Sequence, residues 1–280
     1  MKVGLLRLLL LVTATSLALT CGCTARNEDE LSYGRPLASI VQPPPASPQP
    51  ADKGQPGSWE KAPGVEPAGR LFVVGPENQN ASLHPLVLVP SRWGVSPEIR
   101  DQARRLAEAG FLVAVPDLFD GVEPRHRLAV EELQKGVAER RALALLDAAA
   151  RRLREDPRSD DRGVALFGSA VGGYWAYTWA RRHAEDVAAV ALDSTLLEWT
   201  PDALAGCRAP VLLLVGGASG VFHRAQRQAI AEAFEAAGVT ARVEAIEGAG
   251  TDLFDPRANG WSEDAQGRAF KVLTAFLRGE

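Results

Sequence analysis

The chain has 280 residues, of which 46% are hydrophobic and 24% charged, with a formal net charge of −4. That length suits one α/β domain with extras, and the slightly acidic balance leaves no basic footprint for nucleic acid. The three cysteines, Cys21, Cys23 and Cys207, are too scattered for a disulfide framework or a CxxC metal site.

Lys2 and Arg7 precede an apolar stretch at 8–19. A spanning helix takes about 20 apolar residues, so this stretch fits the hydrophobic region of a secretory signal instead. It runs into Leu19-Thr20-Cys21-Gly22-Cys23, which resembles a bacterial lipobox with a small residue just before Cys23. Residues 1–22 are therefore expected to be a lipoprotein-type signal peptide. Cys23 is the expected lipidated residue and Cys21 the alternative, because Thr20 is a poorer residue before a cut than Gly22. A plain cleaved signal, giving a secreted or periplasmic protein, or a short uncleaved anchor are the competing readings. A diacylated, amide-capped cysteine would tether the chain firmly to a membrane outside the cytoplasm. No aspartate follows Cys23, which points to the outer membrane in bacteria that sort on that residue.

Residues 23–68 read as a disordered Pro/Gly-rich tether, with Pro43, Pro44, Pro45, Pro48 and Pro50 followed by Gly54, Pro56, Gly57, Pro63 and Gly64. Such composition buries too little apolar surface to offset chain entropy, and proline keeps it extended. A spacer is favoured over a PxxP ligand.

From 69 to 280 the pattern is that of a single folded domain. Short apolar runs at 71–74, 86–89, 112–115, 164–167, 187–192, 211–215 and 241–246 predict strands. Most are continuous runs, as parallel strands covered on both faces require. Helical stretches at 97–109, about 128–154, 171–183, 224–237 and 262–277 lie between them, with Gly110 and Gly238 placed as C-terminal caps. Strand alternating with helix predicts an α/β fold with a mostly parallel, doubly wound sheet and right-handed crossovers.

One segment narrows this further. The strand 164–167 enters Gly168-Ser169-Ala170-Val171-Gly172-Gly173 and then a helix, the layout of a nucleophile elbow. Such a turn strains its central residue, so the neighbours two positions away must be small. Gly168 and Gly172 meet that demand around Ala170.

Around this elbow the chain resembles the dienelactone hydrolase family of α/β-hydrolases. The likeness rests on Pro85-Leu86-Val87-Leu88-Val89-Pro90 with Trp93-Gly94, on Ile99-Arg100-Asp101 with Ala103, Leu106, Ala107 and Gly110, on Val115-Pro116-Asp117-Leu118-Phe119, and on Ala209-Pro210 leading to Val215-Gly216. The resemblance implies acyl transfer on esters and lactones, in which a Cys or Ser attacks, a His takes the proton and an Asp orients the His. Carried over residue by residue, the nucleophile position holds Ala170, the acid position Ser219 and the His position Thr251. The family's loop carboxylate aligns with Ser91. A methyl group can neither attack a carbonyl nor move a proton. Loss of a triad member elsewhere leaves residual catalysis of only roughly 10³–10⁴ over water. The backbone donors at Gly168, Ala170, Val171 and Gly172 need no particular side chain and would persist.

Displaced catalysts are the remaining enzymatic option. Ser169, beside the apex, reads as a small filler, because making it the apex would put Phe167 and Val171 where small residues are needed. Of the histidines, His84 precedes a strand at the wrong edge, while His126 and His183 read as loop and helix-end residues. Only His223 could serve as a relocated base for Ser169 or Ser91. Asp193 and Asp252 end or follow strands, where acidic residues are commonly caps or solvated; Asp117 reads as a turn residue and Cys207 as packing. Trp93, Tyr174 and Trp175 are read as packing residues that could instead line an apolar pocket. No metal or cofactor constellation occurs. Two functions follow: a non-catalytic module binding a small molecule or a protein at the old active-site face, or an ester or lactone hydrolase using Ser169 or Ser91 with His223.

Overall fold

The structure, a computed structural model, describes residues 54–76, 82–124 and 127–280. The expected signal peptide with Cys21 and Cys23, the tether up to residue 53, and His126 lie outside the described residues.

Eight strands form one sheet: β1 (Ser58–Ala62), β2 (Gly69–Val74), β3 (His84–Val89), β4 (Phe111–Pro116), β5 (Val164–Ser169), β6 (Val187–Asp193), β7 (Val211–Gly216) and β8 (Ala241–Ile246). Their spatial order is β1-β2-β4-β3-β5-β6-β7-β8. From β4 to β8 every pairing is parallel, while β2 runs antiparallel to β4 and β1 antiparallel to β2. The helices are α1 (Pro97–Glu108), α2 (Arg127–Gly136), α3 (Glu139–Arg154), α4 (Val171–Arg182), the short α5 (Pro201–Leu204), α6 (Arg224–Ala236) and α7 (Glu263–Arg278).

The continuous apolar strands are buried on both faces because successive side chains point opposite ways. In β3, Val87 and Val89 face a core built with α3, α4 and α6, whereas Leu86 and Leu88 face a second core built with α1 and α7. β7 divides in the same way, with Leu213 and Val215 on the first side and Leu212 and Leu214 on the second. The polar ends of the strands are thereby left at the C-terminal edge of the sheet, where ligands of such folds bind.

Two expectations need correction. The tether reading up to residue 68 does not hold for its last part, because 58–62 form β1. There Trp59 packs edge-on against Phe72 at 5.7 Å, Arg70 lies 4.4 Å over the Trp59 ring, and Glu60 pairs with Arg152. A short edge strand held by one aromatic and one ion pair leaves little trace between prolines. The single helix expected over about 128–154 is two helices, α2 and α3, which break at Val137 and Ala138. Val137 N–H bonds back to Gln134 in a tight turn, and Ala138 takes an extended conformation as the N-cap of α3.

Candidate functional site

The site grows from the junction of β5 and α4. Ala170 stands between them at φ 50°, ψ −117°, a conformation outside the comfortable regions for an L-residue and worth roughly 1–3 kcal/mol of strain. What enforces it is close packing on either side. A Cβ on Gly168 would lie 2.5 Å from the Gly172 carbonyl carbon, and one on Gly172 would lie 2.4 Å from the Val89 oxygen. The Ala170 N–H donates to the Asp193 carbonyl at 2.9 Å, which ties the turn to β6. The bend expected from the glycine spacing is therefore present, and Ala170 is its apex. The first N–H groups of α4, at Val171, Gly172 and Gly173, have no intrahelical acceptor.

Two clefts meet here. One of about 400 Å³ is lined by Arg92, Trp93, Val130, Glu131, Gln134 and Ala170. Another of about 360 Å³ is lined by Arg92, Trp93, Thr251, Asp252, Asp255, Arg257, Ala258 and Asn259. Arg92 and Trp93 belong to both and stand as a wall between them. Ala170 and Thr251, which the family resemblance assigns to a single reaction centre, open onto different sides of that wall. The wall is fastened to the turn after β8. Arg92 pairs with Asp252, Trp93 Nε1 donates to Asp255 at 2.6 Å, and Arg257 lies 5.0 Å over the Trp93 ring while bonding Glu98 at 2.8 Å.

The remaining predicted residues fall as follows. Ser219 is buried in the turn after β7, where its hydroxyl accepts from the Phe222 N–H at 3.3 Å. Ser91 and Ser169 line one cavity of about 20 Å³ beneath Trp93, room for about one water. His223 is not with them: it is exposed at the N-cap of α6, where its Nδ1 accepts from the Gln226 N–H at 3.3 Å. No hydrogen bond joins His223 to either serine among the described residues. His84 starts β3 at the opposite edge, bound to Asp160. His183 caps α4 and stacks on Trp179 at 4.1 Å. Cys207 is buried, which pushes its thiol up to about 11. Asp117, also buried, accepts from the Phe119 N–H and pairs with Arg70. Trp93 lines both clefts, Tyr174 is exposed, and Trp175 packs against the core.

Two residues carry more than the sequence suggested. Asp193, expected as a cap or solvated residue, is 0% exposed, and Asp252 is buried as well. Burial first and the Asp252 charge second push the Asp193 carboxyl up to about 7. Burial also raises Asp252, against the pull of Arg92. Asp193 Oδ2 has no hydrogen-bond partner among the described residues, with Ser169 its neighbour across the strand pair. The signal available in the sequence was position alone: Asp193 ends the strand beside β5.

Comparison with known proteins places this geometry. The family model of the dienelactone hydrolase family matches residues 70–280. A Methylorubrum extorquens protein named for carboxymethylenebutenolidase activity is 29% identical over 168 residues, which is 55% of this chain and 58% of that protein. A Yersinia pestis protein of the same name is 26% identical over 221 residues, covering 74% of this chain and 82% of that one. Among solved structures, a dienelactone hydrolase-type protein from Klebsiella pneumoniae subsp. pneumoniae superposes with a TM-score of 0.70 at 22% identity, over 80% of this chain and 98% of that one. A dienelactone hydrolase-like promiscuous phosphotriesterase from metagenomic libraries gives 0.68 at 18% identity, with the same coverage. At those identities the structural likeness speaks for the fold alone.

Proposed function

The chain belongs to the dienelactone hydrolase family, and from that premise we propose that it is a non-catalytic member, which holds a small molecule intact at the face where its relatives would carry out acyl transfer. Ala170 carries this reading. The turn that would present a nucleophile is built in full and strained in the usual way, and a methyl group occupies its apex. The methyl at that point cannot attack, and the N–H groups at the start of α4 remain as hydrogen-bond donors for a bound carbonyl. The cleft above Ala170, at about 400 Å³, has the size of a small-molecule site rather than of a protein-docking surface. Exposed apolar side chains at its edge of the sheet, Leu128 and Tyr174 among them, suit a ligand with an apolar portion. A protein partner at the same face is the second outcome to test.

Hydrolysis through Ser169 or Ser91 with His223 would require the imidazole to leave its helix cap and cross to the cavity beneath Trp93. Purified protein is assayed with aryl esters and a lactone panel, then exposed to a serine-directed phosphonate. The expected result is turnover no higher than a heat-killed control and no covalent label. Labelling together with turnover overturns the inert reading.

We further propose that the domain is displayed outside the cytoplasm on a lipid attached at Cys23, with Cys21 as the alternative attachment site. Cys23→Ala is expected to abolish lipid labelling in a bacterial host and to move the protein from the detergent phase to the aqueous phase. Labelling that survives Cys23→Ala and disappears with Cys21→Ala moves the assignment to Cys21.

A further inference from the structure

The turn after β8 hangs on one buried carboxyl group. Oδ1 of Asp193 accepts from Ser194 Oγ at 3.0 Å and from the Leu253 N–H at 3.2 Å. Ser194 Oγ accepts in turn from the Asp252 N–H at 3.1 Å. Asp252 then holds Arg92, half of the wall between the two clefts. On the other side, the Asp193 carbonyl accepts from the Ala170 N–H. Ala170, Ser194 and Asp252 have φ of 50°, 46° and 56°, and only Asp120 shares this conformation among the other described non-glycine residues. Strained backbone is thus concentrated around Asp193.

The surroundings of Asp193 are nearly free of charge. β5 presents the Ser169 hydroxyl, β7 presents Leu214, and α4 presents its N-terminal backbone with no acidic residue in the first turn. The turn after β8 contributes Asp252, with Asp255 and Arg257 beyond it, and Arg92 from the β3–α1 loop is engaged with Asp252. Among the described residues a negative charge on Asp193 faces the Asp252 carboxylate and no cation, and only the Leu253 N–H and the Ser194 and Ser169 hydroxyls favour it against complete burial. Ser169 also lines the water-sized cavity beneath Trp93, which gives a proton a path to the carboxyl.

We propose that Asp193 is a proton-operated latch: its neutral carboxyl fastens the turn at 251–255, and with it the Arg92–Trp93 wall, and loss of the proton loosens both. In the fastened state, burial and the Asp252 charge raise the group to about 7. In a loosened state, where water reaches it, the carboxyl returns toward about 3.9. Below that value both states carry the proton, and above about 7 neither does. Between the two, each unit of rising pH favours the loosened state about tenfold. The latch therefore tightens on acidification.

The test is hydrogen–deuterium exchange of the wild-type protein from pH 5 to pH 8, with each rate corrected for the intrinsic pH dependence of amide exchange. Peptides covering 250–262 should open about tenfold more per pH unit between pH 5 and pH 7 and level off above, while those covering β8 show no such slope. Asp193→Asn should abolish the slope. A flat wild-type profile between pH 5 and pH 7, or a slope that survives Asp193→Asn, overturns the proposal. If the variant does not fold, the carboxyl carbon resonance of Asp193 in the wild-type protein decides: a midpoint near 7 supports the latch and one near the ordinary aspartate value refutes it. The outcome is independent of catalysis, since an inert protein could show a flat profile and an active one the slope.

Discussion

The elbow at Ala170 and the turn after β8 would share one task in a working hydrolase, and they are held in opposite ways. The elbow keeps its geometry and lacks a reactive group: φ at the apex is still 50°, because Gly168, Gly172 and the backbone of β3 leave the chain no other course. The turn after β8 follows the strand where it is expected and carries charges that bind it to the wall, with Asp252 on Arg92 and Asp255 on Trp93. Geometry set by backbone contact does not depend on the side chain at its apex, whereas geometry set by side chains changes with them.

A ranked series of measurements would break or sharpen that contrast. The largest effect belongs to the elbow glycines. Gly172→Ala would push a methyl to 2.4 Å from the Val89 oxygen, and should cost more than about 3 kcal/mol in urea unfolding; a loss below about 1 kcal/mol would mean the elbow is not sterically enforced. Next is the wall. Arg92→Ala strips a buried Asp252 of its cation and should cost about 1–2 kcal/mol, since Arg92 itself is 41% exposed and partly screened. Asp252→Asn should cost less, because it leaves no buried charge behind, and the reverse ranking would show that Arg92 acts through something other than this pair. Ala170→Gly should stabilise by about 1 kcal/mol in thermal unfolding, as relief of a positive φ outweighs the added chain entropy. Ala170→Ser should fold normally and still give no burst of acyl-enzyme with an aryl ester, because no imidazole among the described residues is hydrogen-bonded at that face; a burst would reveal a base at the site.

The smallest effect lies at the opposite edge of the sheet. His84 is lowered below its ordinary value, first by burial, with Asp160 pulling the other way. The fold therefore disfavours its protonation, and stability falls as pH drops through about 6.5. His84→Gln should remove a decline below about 1 kcal/mol between pH 7 and pH 5, read from the pH dependence of thermal unfolding. That sign opposes the one expected at Asp193, so acid should loosen one edge of the sheet while tightening the other.

Most of the fold was legible because parallel strands with two covered faces write themselves as unbroken apolar runs; β3 to β7 were visible in this way, while the edge strand β8 reads as a run broken by Arg242 and Glu244. β1 was not, since Trp59 and Glu60 draw their support from Phe72, Arg70 and Arg152, partners distant in sequence. The elbow could be read because its demand for small residues is local, falling on Gly168 and Gly172. Asp193 and Asp252 could not: a carboxylate at a strand end looks solvated until the neighbouring turn is known to cover it. The removal of His223 from the serines was equally hidden, because helix capping depends on where α6 starts.

The neck of the turn after β8 has a consequence of its own. The Gly250 N–H donates to the Gly260 oxygen at 3.0 Å, and a Cβ at Gly216 would fall 1.6 Å from the Gly250 oxygen. The chain thus leaves β8 and returns to a single pinned point before it enters α7, as a compact Ω-shaped loop does. Within it Leu253 and Phe254 are buried in the second core, Phe254 standing 5.2 Å from Phe167 of β5, so only the outer part from Pro256 to Asn259 is replaceable without disturbing the strands. One side of the cleft can therefore be rewritten by descent or by design, while the elbow opposite stays as it is.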